Sequence, residues 1–240
     1  MEEIYSACKS GDLENVMLGY RSILSDDILD RLLYIAVNNG HLSIITYLVS
    51  IGADPEFDDN WLIGIASENG RLDIVKYLVS QGADVRGHDD YAIIRASDNG
   101  HLDVVKYLVS QGSDYSNPIV LMWASASGRL DIVKYITKQQ IATQPDINPE
   151  IDFYDSLKLA SQSGHLNVIE YLLDKGGDWN ALIPEHLEYF KAKFAYKKWR
   201  KLHLRNWIRK VLIPLYYSPQ FQGGIQAKLA LEKSLIQNEK

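Results

Sequence analysis

The 240-residue chain is predicted to be all-α, an array of about six stacked helix-turn-helix units followed by a C-terminal helical segment. Three observations carry this expectation. Residues 39–54 (NGHLSIITYLVSIGAD), 69–84 (NGRLDIVKYLVSQGAD) and 99–114 (NGHLDVVKYLVSQGSD) are near copies, and a fixed period of a few tens of residues marks a solenoid. A turn of glycine, a polar residue and leucine falls at Gly11, Gly40, Gly70, Gly100, Gly128 and Gly164, spaced by 29, 30, 30, 28 and 36 residues, which makes six units. Within each unit the apolar residues recur with helical rather than strand spacing.

The first helix of a unit begins about ten residues before its glycine, in stretches such as Trp61-Leu62-Ile63-Gly64-Ile65-Ala66 and Tyr91-Ala92-Ile93-Ile94-Arg95-Ala96. Asp59 and Asp89 stand eleven residues before their glycines, in register with Asn117 before Pro118, and are expected to be N-caps worth about 1 kcal/mol each. After the glycine, Leu72, Ile74, Val75, Leu78 and Val79 form one stripe and leave Asp73, Lys76, Ser80 and Gln81 for the other side, the signature of an amphipathic helix. Gly52, Gly82 and Gly112 then occupy the left-handed position that ends a helix. An alanine precedes every turn glycine by four residues (Ala7, Ala36, Ala66, Ala96, Ala124 and Ala160), which predicts a close approach of helix backbones that a larger side chain would force apart.

The resulting pattern, A-(S/x)-x-x-G-(H/R)-L-x-(V/I)-(V/I)-x-(Y/L)-L-(V/L)-x-x-G-A-D over roughly residues 2–180, resembles the ankyrin repeat. The family's T-P-L-H is absent from residues 61–64 and 91–94, and the period is near 30 where the family's is about 33. The missing residues fall where ankyrin units carry a projecting β-hairpin finger, so the resemblance implies fingers stunted to bare turns. The shortened unit is similar to the ankyrin arrays of giant DNA viruses of amoebae, which implies a viral origin and residence in host cytoplasm.

The array is expected to span residues 1–183 and a basic helical cap or tail residues 184–240. The wide fifth spacing places an irregular loop at residues 138–154, around Pro145 and Pro149. Pro184 suits the first turn of a new helix, and Leu187, Phe190 and Phe194 form an apolar stripe fit to cover the last unit. A second stripe, Leu204, Trp207, Ile208 and Val211, runs beside a basic ridge of Lys201, Arg205 and Arg209; a final helix is expected at about residues 225–237.

Net charge is −6, but residues 1–190 hold 13 Lys and Arg against 29 Asp and Glu (−16), while residues 191–240 hold 12 against 2 (+10). The single cysteine, Cys8, excludes an internal disulfide and a cysteine-rich zinc site, which fits a reducing compartment. The acidic start Met1-Glu2-Glu3-Ile4-Tyr5 lacks the basic and apolar runs of a secretion signal, and no stretch reaches the ~20 apolar residues of a membrane span. An intracellular, cytoplasmic protein is expected.

No phosphate loop, zinc ligand set or nucleophile motif is present, so the chain is read as non-enzymatic, with no cofactor and no metal. His41, His101 and His165 follow their turn glycines in a position where Arg71 and Arg129 stand in other units, which points to hydrogen bonding at a helix start rather than metal ligation. The resemblance places the residues before the turn glycine on the concave face, where Glu68, Asn69, Asp98 and Asn99 vary over a constant frame. Arg95 and Trp123 share a register with Ile35, Ile65 and Leu159 and belong to residue types that dominate binding energies. The expected function is therefore a monomeric scaffold or adaptor binding a protein partner through Glu68, Asn69, Arg95, Asp98, Asn99 and Trp123. Two alternatives remain open: nucleic acid or an acidic membrane gripped by Lys201, Arg205 and Arg209 within the basic residues 191–210, and an F-box-like ubiquitin-ligase adaptor, suggested by residues 182–187.

Overall fold

A computed structural model describes residues 2–19, 25–144 and 146–207, with side chains through residue 195 (except in those gaps) and at Lys197. The chain divides into two compact units, Met1–Pro184 and Glu185–Lys240.

The first unit is a stack of helix pairs: α1 (Glu2–Ser10) with α2 (Leu13–Gly19), α3 (Asp26–Asn39) with α4 (Leu42–Ser50), and α5 (Phe57–Glu68) with α6 (Leu72–Ser80). It continues through α7 (Gly87–Asn99) with α8 (Leu102–Ser110), then α9 (Pro118–Ala126) with α10 (Leu130–Thr143). A short α11 (Pro149–Asp152) precedes the last pair, α12 (Tyr154–Gln162) and α13 (Leu166–Asp174), and a 3-10 turn, Trp179–Ala181, closes the array. No strand occurs among the described residues.

Each pair folds back because its turn glycine takes positive φ, as at Gly40 (86°) and Gly100 (89°), which returns N–H groups to the last carbonyls of the first helix. The second helix then buries one stripe: Ile74, Val75 and Leu78 are fully buried, as are Val104, Val105 and Leu108 one unit on. The phase-locked alanines are buried in all six units. Beside four of them lie buried serines, Ser67, Ser97, Ser125 and Ser161, so small side chains line the joints between first helices. The first helices accordingly pack on one another more closely than the second helices do, and form the inner row of the stack.

The fingers are bare turns. Asp54, Asp84, Asp114 and Asp178 each accept, through Oδ1, the N–H two residues on at 2.9 Å, closing an Asx turn where a hairpin would project. A second bond ties this edge: Asp30, Asn60 and Asp90 accept, at 3.0, 2.8 and 3.1 Å, the backbone N–H of Asp54, Asp84 and Asp114, the aspartates that close the finger turns. For the nearly buried Asp30 and Asp90 that bond offsets the cost of desolvating a carboxylate.

Two expectations are corrected. Asn117 caps α9 by accepting the Ile119 N–H at 3.0 Å, but Asp59 and Asp89 are not caps. They sit inside left-handed first turns, residues 58–60 and 88–90, with φ from 51° to 63°, whereas a cap needs extended backbone. In α3 the same register holds Ile28 and Leu29, and burial of Leu29 keeps that turn right-handed. The second correction concerns residues 138–154: α10 runs on to Thr143 and α11 occupies Pro149–Asp152, leaving only a short connection. Gln140 reaches the Tyr115 carbonyl at 3.3 Å and the Tyr115 hydroxyl donates to Thr143 at 3.0 Å, which holds the longer α10 to the finger before it.

In the second unit, α14 (Pro184–Trp207) is one continuous helix that includes Leu187, Phe190, Phe194, Leu204 and Trp207. Ile208, Arg209, Val211 and the expected final helix lie outside the described residues.

Candidate protein-interaction surface

The inner row of helices, α5, α7, α9 and α12, positions the candidate residues. Four-residue spacing on each helix puts Tyr91 with Arg95, and Ile119 with Trp123, on one side of it. The same register on α5 supplies Trp61 and Ile65.

Glu68, Arg95 and Asp98 come together. Arg95 Nε and Nη2 donate to the two Glu68 carboxylate oxygens at 3.1 and 2.6 Å, and Nη1 donates to Asp98 Oδ2 at 3.3 Å. The Ser127 hydroxyl donates to the other Asp98 oxygen. The hydrogen bond to Glu68, helped by both carboxylates, holds the guanidinium still more firmly protonated than usual. All four carboxylate oxygens are therefore occupied within the array, and the cluster pins α5, α7 and α9 together. Arg95 also lies 5.6 Å from the Tyr91 ring centroid, and Tyr91 stacks on Trp61 at 4.5 Å. Gly64 makes room for that stack, because a Cβ there would lie 2.3 Å from the Tyr91 ring.

Asn69 and Asn99 turn back on their own helices, donating to the Ile65 and Arg95 carbonyls at 2.9 and 3.0 Å. Trp123 is 48% exposed and Ile119, one turn before it, 43% exposed. Ile119 was missed in the sequence because an isoleucine at a helix start reads as core; its exposure follows from which side of α9 the neighbouring helices cover.

The residue after each turn glycine bonds to the preceding unit. His41, His101 and His165 donate through Nε2 to the carbonyls of Lys9, Glu68 and Ala126 at 3.0, 2.9 and 2.9 Å. Arg71 and Arg129 donate in the same way to Asn39 and Asp98, at 3.3 and 2.9 Å. These side chains satisfy the open carbonyl end of an inner helix, which explains why His and Arg interchange there. Among the described residues no group of three or more His, Cys, Asp or Glu is placed to hold a metal ion. Cys8 is buried, which pushes its thiol up to about 11 and leaves little of the reactive thiolate near neutral pH.

On the basic segment, Lys201 and Arg205 lie one helical turn apart on α14, while Arg209 is outside the described residues. No helix among the described residues is long and apolar enough to cross a membrane.

Six glycine-turned helix pairs, joined by side-chain bonds from each unit to the next, define a helical-repeat scaffold. The family model for ankyrin repeats matches residues 32–119 and 93–182, together more than half of the chain. The chain belongs to the ankyrin-repeat family, whose members are typically non-enzymatic and serve as protein-interaction modules. No curated protein matches the chain significantly.

Proposed function

We propose that the protein is a monomeric adaptor that binds a protein partner on the inner-helix face of its array, with Trp123 at the centre of the contact. One observation carries this reading: a tryptophan and an isoleucine stand exposed side by side on an inner helix whose backbone is fixed by units on both flanks. Rigid, half-exposed aromatic side chains contribute disproportionately to binding because little conformational entropy is lost when they are covered. Glu68, Arg95 and Asp98 are tied to one another and, through Ser127, to the end of the helix that carries Trp123, while Asn69 and Asn99 bond back to the last turns of α5 and α7.

A second reading rests on α14, whose unbroken course puts Lys197, Lys201 and Arg205 at intervals of four along one helix, a spacing suited to a polyanion. Quantitative capture from the native cell decides between the two. Trp123→Ala with Glu68→Lys is expected to lose the partners retained by the parent, while Lys201→Ala, Arg205→Ala and Arg209→Ala together leave them in place. The reverse order would assign recognition to the basic helix.

A further inference from the structure

We propose that the partner segment recognised by this face is cationic with an apolar anchor: a short stretch of Lys and Arg around one large apolar residue that seats on Ile119 and Trp123. The inference rests on the reading of the inner-helix face as the binding surface and adds the chemistry of what binds. Two independent observations support it. The first is the exposed apolar pair on α9, Ile119 and Trp123. An apolar side chain laid across that pair removes surface from water on both sides, about 25 cal/mol per Å² of apolar area covered.

The second is charge. The finger turns that lead into α5 and α7 expose Asp54, Glu56, Asp58, Asp59, Asp84 and Asp89, so the N-terminal ends of the inner helices are acidic. The cation at this edge is already engaged, Arg86 by Asp90 and Asp114 at 3.7 and 4.0 Å. At the opposite ends Glu68 and Asp98 are paired with Arg95, and Arg71 and Arg129 stand nearby, so the acidic edge is the finger edge. A ligand lying along the inner helices therefore meets negative potential at the finger edge beside an uncharged apolar step. Such a surface repels polyanions and acidic peptides and draws in a segment whose charges lie beside its anchor.

The test uses the full chain and fluorescein-labelled nonapeptides read by anisotropy: four Lys and Arg around a central Phe, the same peptide with central Ser, and the Phe peptide with Glu in place of every Lys and Arg. The cationic Phe peptide is expected to bind about ten-fold or more tightly than either control, and Trp123→Ala to weaken it by about ten-fold, the scale of a lost anchor contact. Ile119→Ser should weaken it in the same direction. Asp59→Asn with Asp89→Asn should weaken it by a few-fold, roughly, and flatten its salt dependence. Equal binding of the Ser peptide, or an unchanged affinity for Trp123→Ala, would overturn the anchor. Tighter binding of the acidic peptide that still requires Trp123 would overturn the cationic class while leaving the inner-helix face as the interaction surface. If no peptide responds to Trp123, both the inference and the surface reading fall.

Discussion

The turn glycine answers two demands at one residue. Gly70 has φ of 68°, and a Cβ placed there would lie 2.4 Å from the His101 ring that reaches back from the following unit. Left-handed backbone alone costs an L-residue roughly 1–2 kcal/mol, and the steric demand adds to it. Gly70→Ala is expected to lower stability by about 2 kcal/mol in urea denaturation, on the scale of that conformational cost plus displacement of the ring. His101→Ala in the same background should return part of the loss, because the coupling between contacting residues is what a double-mutant cycle isolates. Strict additivity of the two variants would show that the ring does not sense this position. The ion cluster is likewise a residue-scale arrangement with more than one part: Arg95 spans 27 positions to reach Glu68, and its bidentate geometry fixes the height of α7 against α5.

At the scale of the element, the left-handed turns at residues 58–60 and 88–90 are the main departure from regular helix. They are tolerated because Asp, Asn and His accept this conformation more readily than other L-residues, and because Asn60 and Asp90 gain a backbone N–H from the finger turn that follows. Substitutions at Asp59 separate backbone from side chain. Asp59→Gly is expected to leave the melting temperature unchanged or raised, since glycine meets positive φ without a Cβ clash. Asp59→Val is expected to cost about 1–2 kcal/mol, as a β-branched residue is poorly accommodated there. Equal melting temperatures for the two variants would mean that the turn is right-handed in solution. Where Leu29 supplies a buried anchor in the same register, the turn has no reason to invert, and α3 is regular.

At the scale of the whole array, stability is carried by joints between neighbours. Each joint has small residues between inner helices and a His or Arg bonded to the previous helix end, and at three places an Asp or Asn also accepts an N–H at the finger edge. In such a stack a local defect weakens two interfaces and is felt along the array. Ala96→Leu, in a middle unit with no exposure to water, is expected to overpack the α5–α7 and α7–α9 joints and cost about 1–3 kcal/mol. Chemical denaturation checks this. A variant as stable as the parent would show that the inner helices have room to separate.

The units, the pairing of helices, the turn glycines and the reduced fingers were legible in the sequence, because each depends on contacts within about thirty residues that recur with the same period. The alanine register announced the close packing of the inner helices, and Trp123 could be singled out by comparison with its counterparts in the other units. Handedness was not legible at residues 58–60, because the Asp-Asp-Asn stretch suits a helix start or a left-handed turn equally. The exposure of Ile119 and the joining of Glu68 to Arg95, Asp98 and Ser127 were decided by the stacking. Local period and turn chemistry are properties of a short stretch of chain and can be read along it. Which side chains meet across a joint depends on the rise and rotation from one unit to the next, and only the assembled array supplies those.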